Sequence, residues 1–166
     1  MTHKERTLTS IDHEEPDRVP VCAWYTPEAE KKMLEYFGMD TSQTETYKSA
    51  GGSLPIKMGH DFLVTWIGPC TSYYAEDSPE YIDEWGIGWR WFKNPTGGSY
   101  TEMIHHPLAK DDDFSRLHIP DFSDDKRYED SREMISDYGD EYAIMGGVAC
   151  TLFELAWYLR GLEKFL

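Results

Sequence analysis

The pattern of apolar and polar positions near the carboxyl end of the chain predicts a strand followed by a helix. Tyr142–Ile144 is a short apolar run of the kind found in buried strands, and Gly146 and Gly147 interrupt this run. From Thr151 to Leu162 apolar residues recur at helical spacing, with Thr151 in the position of an N-cap. The loop between the two elements is therefore expected at the carboxyl end of a strand, where α/β folds bind their ligands.

The same pattern predicts strands and helices in the rest of the chain. Val19–Trp24 and Phe62–Ile67 are short apolar runs that we expect to be buried strands. Leu8 and Ile11 are expected to form the inward face of a first helix. Helical spacing, caps and stop residues predict four helices, namely Lys4–Asp12, a helix from the N-cap Thr26 to Phe37, Thr41–Ala50 and Tyr128–Tyr138.

Residues 71–100 differ from their surroundings, because aromatic residues alternate there with turn residues. That alternation predicts a β-hairpin excursion, and long loops on a rigid scaffold often line binding sites. Three buried strands that alternate with helices predict a parallel α/β fold. We expect residues 1–166 to form a single domain.

Charge and cysteine content narrow the range of partners. A formal net charge of −15 argues against nucleic acid and acidic membranes, because both are bound through basic side chains. No apolar run approaches the ~20 residues of a membrane-spanning helix. Cys22, Cys70 and Cys150 lack the spacing of a zinc knuckle and cannot all pair in disulfides. We therefore expect a cytoplasmic protein that binds neither nucleic acid nor membranes.

Several short motifs in a fixed order carry a resemblance to a known family. They are HEEPDRVPV (His13–Val21), DEWG (Asp83–Gly86), HPLA (His106–Ala109), IPD (Ile119–Asp121) and GGVACTLFELAWYLRG (Gly146–Gly161). In order and spacing they resemble the amino-terminal half of the uroporphyrinogen decarboxylase superfamily. The resemblance implies a (β/α)8 TIM barrel with its pocket at the carboxyl ends of the strands. It also implies either decarboxylation of a porphyrinogen or methyl transfer between a corrinoid protein and a thiol, with a zinc-bound thiolate.

Chain length bears on how much of such a barrel is expected. A complete (β/α)8 barrel takes about 250 residues, whereas this chain has 166 residues and about three predicted βα units. We expect the amino-terminal part of a barrel with a β-hairpin insertion, belonging to a longer protein. The alternative is a half-barrel whose open sheet edge is covered by a partner, for which a homodimer is one candidate.

The segment after the first predicted strand favours one branch of the superfamily. In the decarboxylases that the chain resembles, an arginine-rich segment there holds the substrate carboxylates, whereas residues 22–30 of this chain contain no arginine. This favours a corrinoid-linked methyltransferase acting on a small molecule or a corrinoid protein. Its zinc site would lie in a carboxyl-terminal half outside this sequence. Porphyrinogen decarboxylation and a non-catalytic fragment or binding module are the alternatives.

Asp61 is the candidate catalytic residue, because it precedes the second predicted strand and the resemblance allows it to be the pocket aspartate of the family. A turn or capping aspartate after a glycine is the alternative. Trp24, Tyr25 and Trp66 lie at or near predicted strand ends. There they would line an apolar pocket for a methyl donor or a flat macrocycle, unless they pack in the core.

Three further residues are candidates for substrate binding. Cys22 and Cys150 lie near the ends of predicted strands and are candidate thiolates, with burial as small apolar side chains as the alternative. Trp157 lies near the place where the decarboxylases that the chain resembles carry a pocket tyrosine, with core packing as the alternative. His105 and His106 are adjacent and poorly spaced to bind one ion together, so no metal site is predicted within the chain.

Overall fold

The structure is a computed structural model in which the described residues form two compact units. Described are residues 1–41, 53–66, 79–93, 95, 99–110, 114–148 and 152–166. Unit 1 contains the described residues 1–66 and 125–147, and unit 2 contains the described residues 79–124 and 148–166. The mixed α/β class is confirmed. The expectation of a single domain stays a prediction.

The described residues contain helices and strands in the following order along the chain. They are α1 (His3–Ile11), α2 (Pro27–Phe37), α3 (Ser53–Lys57), β1 (Phe62–Trp66), β2 (Glu80–Ile82), β3 (Gly88–Lys93), β4 (Ser99–His105), α4 (Glu129–Tyr138), β5 (Ala143–Gly147), α5 (Leu152–Arg160) and α6 (Leu162–Phe165). Single 3₁₀ turns occur at Phe114–Arg116 and Asp125–Tyr128.

Unit 1 is built on two parallel strands. β1 pairs with β5 in a register that runs from Phe62 opposite Ala143 to Trp66 opposite Gly147. Helix α4 contacts both strands, so β1, α4 and β5 form a β–α–β arrangement. Leu63, Met134 and Tyr142 form the buried core of this unit. Because the side chains of successive strand residues point to opposite faces, this core occupies one face of the small sheet.

The prediction of a first strand at Val19–Trp24 is wrong. No strand forms there, and Val19 is 79% exposed. Pro20 has no N–H to donate to the hydrogen bonds of a sheet. Among the described residues, a single backbone–backbone hydrogen bond joins this segment to the start of β1, and Asp61 N donates it to Val21 O. The apolar composition of the run therefore gives an irregular segment beside β1 and not a buried strand.

The predicted inward face of the first helix is also wrong. Leu8 and Ile11 on α1 are 44% and 54% exposed, whereas Arg6 and Thr7 are buried. The buried face of α1 is polar because it packs on a buried carboxylate, and the spacing of apolar residues does not reveal such a face.

Helix α2 follows the local signals in its sequence. Thr26 is the N-cap, its hydroxyl accepts a hydrogen bond from Ala29 N, and Pro27 occupies the first helical position. Gly38 ends the helix with a φ of +65°, in the left-handed region that glycine adopts without strain. The predicted helix to Phe37 is confirmed.

Strand β5 contains the two glycines that were expected to interrupt it. Gly146 and Gly147 pair with Thr65 and Trp66, so the strand continues to its end through both glycines. The predicted helix Tyr128–Tyr138 is confirmed as α4. The predicted helix Thr41–Ala50 falls on residues 42–50 outside the described residues, as does the N-cap Thr151.

Unit 2 contains a three-stranded antiparallel sheet in the order β2-β3-β4. The hairpin excursion is confirmed by the antiparallel strands β2, β3 and β4, while residues 71–78, 94 and 96–98 of the predicted excursion lie outside the described residues. Helix α5 belongs to this unit, and Leu108 N donates a hydrogen bond to Leu159 O. The buried core is formed by Ile87, Trp89, Leu108, Tyr158 and Leu159. Within the described residues, neither sheet closes on itself, as a barrel would require.

Candidate functional site

Asp61 lies directly before β1 and is fully buried. Its Oδ1 atom is 2.9 Å from Nδ1 of His3 and accepts hydrogen bonds from the guanidinium groups of Arg6 at 2.7 Å and Arg18 at 2.8 Å. Its Oδ2 atom accepts from Arg18 and from the backbone N–H of Val21 at 2.8 Å. The carboxylate therefore joins α1, the segment after it and the start of β1.

The charges around Asp61 keep it ionised. Burial alone would raise its pKa, but the hydrogen bonds from Arg18, Val21, His3 and Arg6 outweigh burial and hold the pKa well below its usual range. Both oxygens are occupied, so neither offers a free lone pair to a substrate. This is the environment of a structural anchor, and the catalytic role of Asp61 stays a prediction that the geometry does not favour.

A second carboxylate extends the network outwards. Asp17 accepts hydrogen bonds from Nε and Nη2 of Arg6 at 2.6 and 2.8 Å, and the Arg6 guanidinium lowers the pKa of Asp17 to about 2. The same hydrogen bond from Arg6 to Asp17 raises the pKa of Arg6. The motif HEEPDRVPV thus supplies Asp17, Arg18 and Val21 to one ion-pair network in unit 1.

Trp24 and Trp66 lie together at the carboxyl end of β1. Their ring centroids are 5.4 Å apart in an edge-on arrangement, and Trp24 is 64% exposed. A Cβ atom at Gly147 would lie 2.7 Å from the ring of Trp66, so the indole rests directly on the backbone of β5. The structure thus brings together two of the predicted pocket residues, and Gly147 is a neighbour that apolar patterning did not indicate.

Tyr25 contacts His60 rather than the tryptophan pair. The phenol oxygen lies 3.2 Å from Nε2 of His60, which is buried. Burial lowers the pKa of His60, and the negative charge of Asp61 partly opposes that shift. Burial raises the pKa of Cys22. Burial and the nearby Cys22 both raise the pKa of Tyr25. Cys22 is therefore mainly a thiol at neutral pH, not a thiolate.

Trp157 belongs to unit 2. Its ring lies 4.3 Å from that of Tyr158 and packs against the buried core of that unit. Its predicted role in substrate binding stays a prediction. Cys150 lies outside the described residues.

The motifs DEWG and HPLA have structural roles in unit 2. Asp83 accepts hydrogen bonds from the backbone N–H groups of Trp85 and Ile87 and from Nε1 of Trp89, although burial raises its pKa. His106 Nδ1 lies 2.6 Å from the carbonyl oxygen of Tyr158 on α5. Both motifs therefore hold turns against the core of the unit.

Two general features can be tested on the described residues alone. Nowhere in the described ranges do three or more His, Cys, Asp or Glu side chains come together as a metal ion would require. In the same ranges, no helix combines the length and the apolar composition needed to cross a membrane.

Comparisons with known proteins gave no relative. No family model, no curated protein and no solved structure matched this chain.

Proposed function

We propose that this chain is the amino-terminal part of a (β/α)8 barrel enzyme of the uroporphyrinogen decarboxylase superfamily, and that the complete enzyme transfers a methyl group from a corrinoid to a thiol. The observation that carries the proposal is the Trp24–Trp66 pair at the carboxyl end of β1. Ligands of α/β enzymes bind at that end of parallel strands. The β–α–β arrangement of unit 1 is the repeating element of such a barrel.

The pairing of three arginines in unit 1 with carboxylates of the chain favours methyl transfer over decarboxylation. A porphyrinogen carries several carboxylates and requires fixed cations, preferably guanidinium groups. Arg6 and Arg18 bind Asp17 and Asp61, and Arg132 binds Asp125. These three arginines are thus engaged by carboxylates of the protein, while the strand end carries two indoles.

The residues of unit 1 fit a flat apolar ligand better than a metal ion. The exposed indole of Trp24 and the ring of Trp66 offer apolar surface that excludes water from a ligand face. A bound methylcorrinoid would supply a methyl group to an acceptor thiolate. The described residues offer no set of three zinc ligands, so no step at zinc is assigned to them.

The test uses the complete protein, methylcobalamin and 2-mercaptoethanesulfonate, with the methyl thioether measured by mass spectrometry. We expect methyl transfer in the wild type and a loss of about tenfold or more in Trp24→Ala and Trp66→Ala, since each removes apolar contact worth more than about 1.4 kcal/mol. Tyr36→Ala is the control, because Tyr36 on α2 is 84% exposed and should have no effect.

Parallel reactions with uroporphyrinogen decide among the alternatives. Release of carbon dioxide without methyl transfer would replace the proposal with decarboxylation. The complete protein could also catalyse neither reaction and bind neither cobalamin nor porphyrinogen. That result would favour a non-catalytic module and overturn the proposal.

A further inference from the structure

His60 has a buried polar atom without a partner. His60 is 2% exposed, and its Nδ1 atom has no hydrogen-bond partner among the residues that the structure describes. A buried polar group without a partner loses its hydration and gains no hydrogen bond in exchange, so such groups are rare and call for an explanation. The other ring nitrogen, Nε2, is 3.2 Å from the phenol oxygen of Tyr25.

The bond to Tyr25 determines which nitrogen of His60 carries the proton. Burial raises the pKa of Tyr25 and lowers the pKa of His60, so the pair consists of a neutral phenol and a neutral imidazole near pH 7. If Tyr25 donates to Nε2, only Nδ1–H lacks a partner. If Nε2–H donates instead, Nδ1 lacks a partner as an acceptor, and the phenol donates its proton to solvent, because Tyr25 is only half-buried. The first arrangement is favoured because the phenol O–H is the stronger donor of the pair and the imidazole nitrogen is the stronger acceptor.

We infer that the Tyr25–His60 pair is a binding site in which the Nδ1–H group of His60 donates a hydrogen bond to a carbonyl-type oxygen of a ligand. The phenol of Tyr25 positions the imidazole and fixes its tautomer. An amide and a carboxylate share this oxygen chemistry. The inference does not depend on methyl transfer, because it rests on the contacts of these two side chains alone.

The carboxylate next to His60 does not exclude an anionic ligand. Asp61 follows His60 in the chain, but two guanidinium groups, from Arg6 and Arg18, bind its oxygens. Its negative charge is therefore compensated within unit 1. Amide and carboxylate ligands are thus both compatible with the site, and the experiment distinguishes them.

The experiment uses the whole chain labelled with ¹⁵N-histidine and long-range ¹H–¹⁵N correlation spectra, which report the tautomer of each ring. We expect His60 to be neutral and protonated at Nδ1. Addition of acetamide or sodium acetate, with sodium chloride as the salt control, should shift the His60 signals in a saturable manner. The His118 signals serve as the internal control, since His118 is exposed and should not show saturable binding.

The variant Tyr25→Phe tests the positioning role. It keeps the aromatic ring and removes the phenol, so His60 should lose its single tautomer and bind the more effective probe about tenfold more weakly. An Nε2–H tautomer in the wild type would overturn the inference. A His60 signal that neither probe shifts would also overturn the inference, even if a buried water is found at Nδ1. The same holds if Tyr25→Phe binds the probe as tightly as the wild type.

Discussion

At the scale of single residues, Asp61 is the centre of the ion-pair network in unit 1. It is a buried anion with hydrogen bonds from two arginines, one histidine and one backbone N–H. Removing the charge of Asp61 would leave the buried guanidinium group of Arg6 without one of its counter-charges. Such a loss costs more free energy than the loss of one contact. We therefore expect the Asp61 side chain to have a larger effect on stability than any exposed carboxylate of unit 1.

The variant Asp61→Asn tests this directly. It keeps the shape of the side chain but places an amide among Arg6, Arg18 and His3, so we expect the free energy of unfolding to fall by about 3 kcal/mol. The measurement is urea denaturation at neutral pH. Asp125→Asn is the control, because Asp125 is exposed and its bond to Arg132 lies at the surface. Equal stabilities for the two variants would contradict the anchoring role.

The lowered pKa values of Asp61 and Asp17 predict a pH dependence of stability. Both carboxyl groups bind protons less readily in the folded chain than at their ordinary value of 3.8. Their contribution is therefore complete above about pH 5 and is lost as the pH falls through 3.8 towards 2. Urea midpoints measured from pH 5 to pH 3 should decline in the wild type and decline less in Asp17→Asn. A parallel decline would show that Asp17 does not contribute.

At the scale of elements, the sequence predicts best where the signals are local. Thr26, Pro27 and Gly38 define α2 through contacts within a few residues, so the prediction of that helix succeeded. Arg6 and Asp61 are far apart in the chain, and no local pattern indicates that α1 buries a guanidinium group. The same non-local contact explains why Leu8 was wrongly expected to face inwards.

The predicted candidate site was recovered only in part for a similar reason. Trp24 and Trp66 meet, because the segment after α1 lies beside β1 even though it forms no strand. Gly147 supports that pair from another strand, and its role depends on the β1–β5 register. Composition identified the aromatic residues, while the pairing of the strands decided which of them touch.

The glycines of β5 provide a matched test of this arrangement. A methyl group at Gly147 would meet the ring of Trp66, whereas none of the described residues has an atom within 4 Å of the corresponding position at Gly146. We expect Gly147→Ala to displace the indole and lower stability by about 1–2 kcal/mol, and Gly146→Ala to have a much smaller effect. Tryptophan near-UV circular dichroism and urea denaturation measure both effects. An unchanged spectrum in Gly147→Ala would refute the contact.

At the scale of the whole molecule, each unit has its own buried core. Leu63, Met134 and Tyr142 form the core of unit 1, whereas Trp89 and Leu159 belong to the core of unit 2. Local opening of a structure follows such cooperative groups of contacts. A destabilising substitution should therefore increase local opening mainly in the unit that contains it.

Hydrogen exchange of Asp61→Asn and Asp83→Asn tests this expectation. Asp61→Asn should accelerate exchange mainly in β1 and β5. Asp83→Asn places an amide N–H₂ group near Nε1 of Trp89, so it should accelerate exchange mainly in β2–β4. Mass spectrometry of peptide fragments measures both patterns. Equal acceleration in the two units would show that they open together.

The order of segments along the chain has a consequence for synthesis on the ribosome. β1 emerges before β2–β4, but its partner β5 emerges after them, and α5, which completes unit 2, emerges after β5. Neither unit corresponds to one uninterrupted coding stretch, so both must wait for late segments before they can be completed. A gene fragment that ends before β5 would therefore encode neither unit whole.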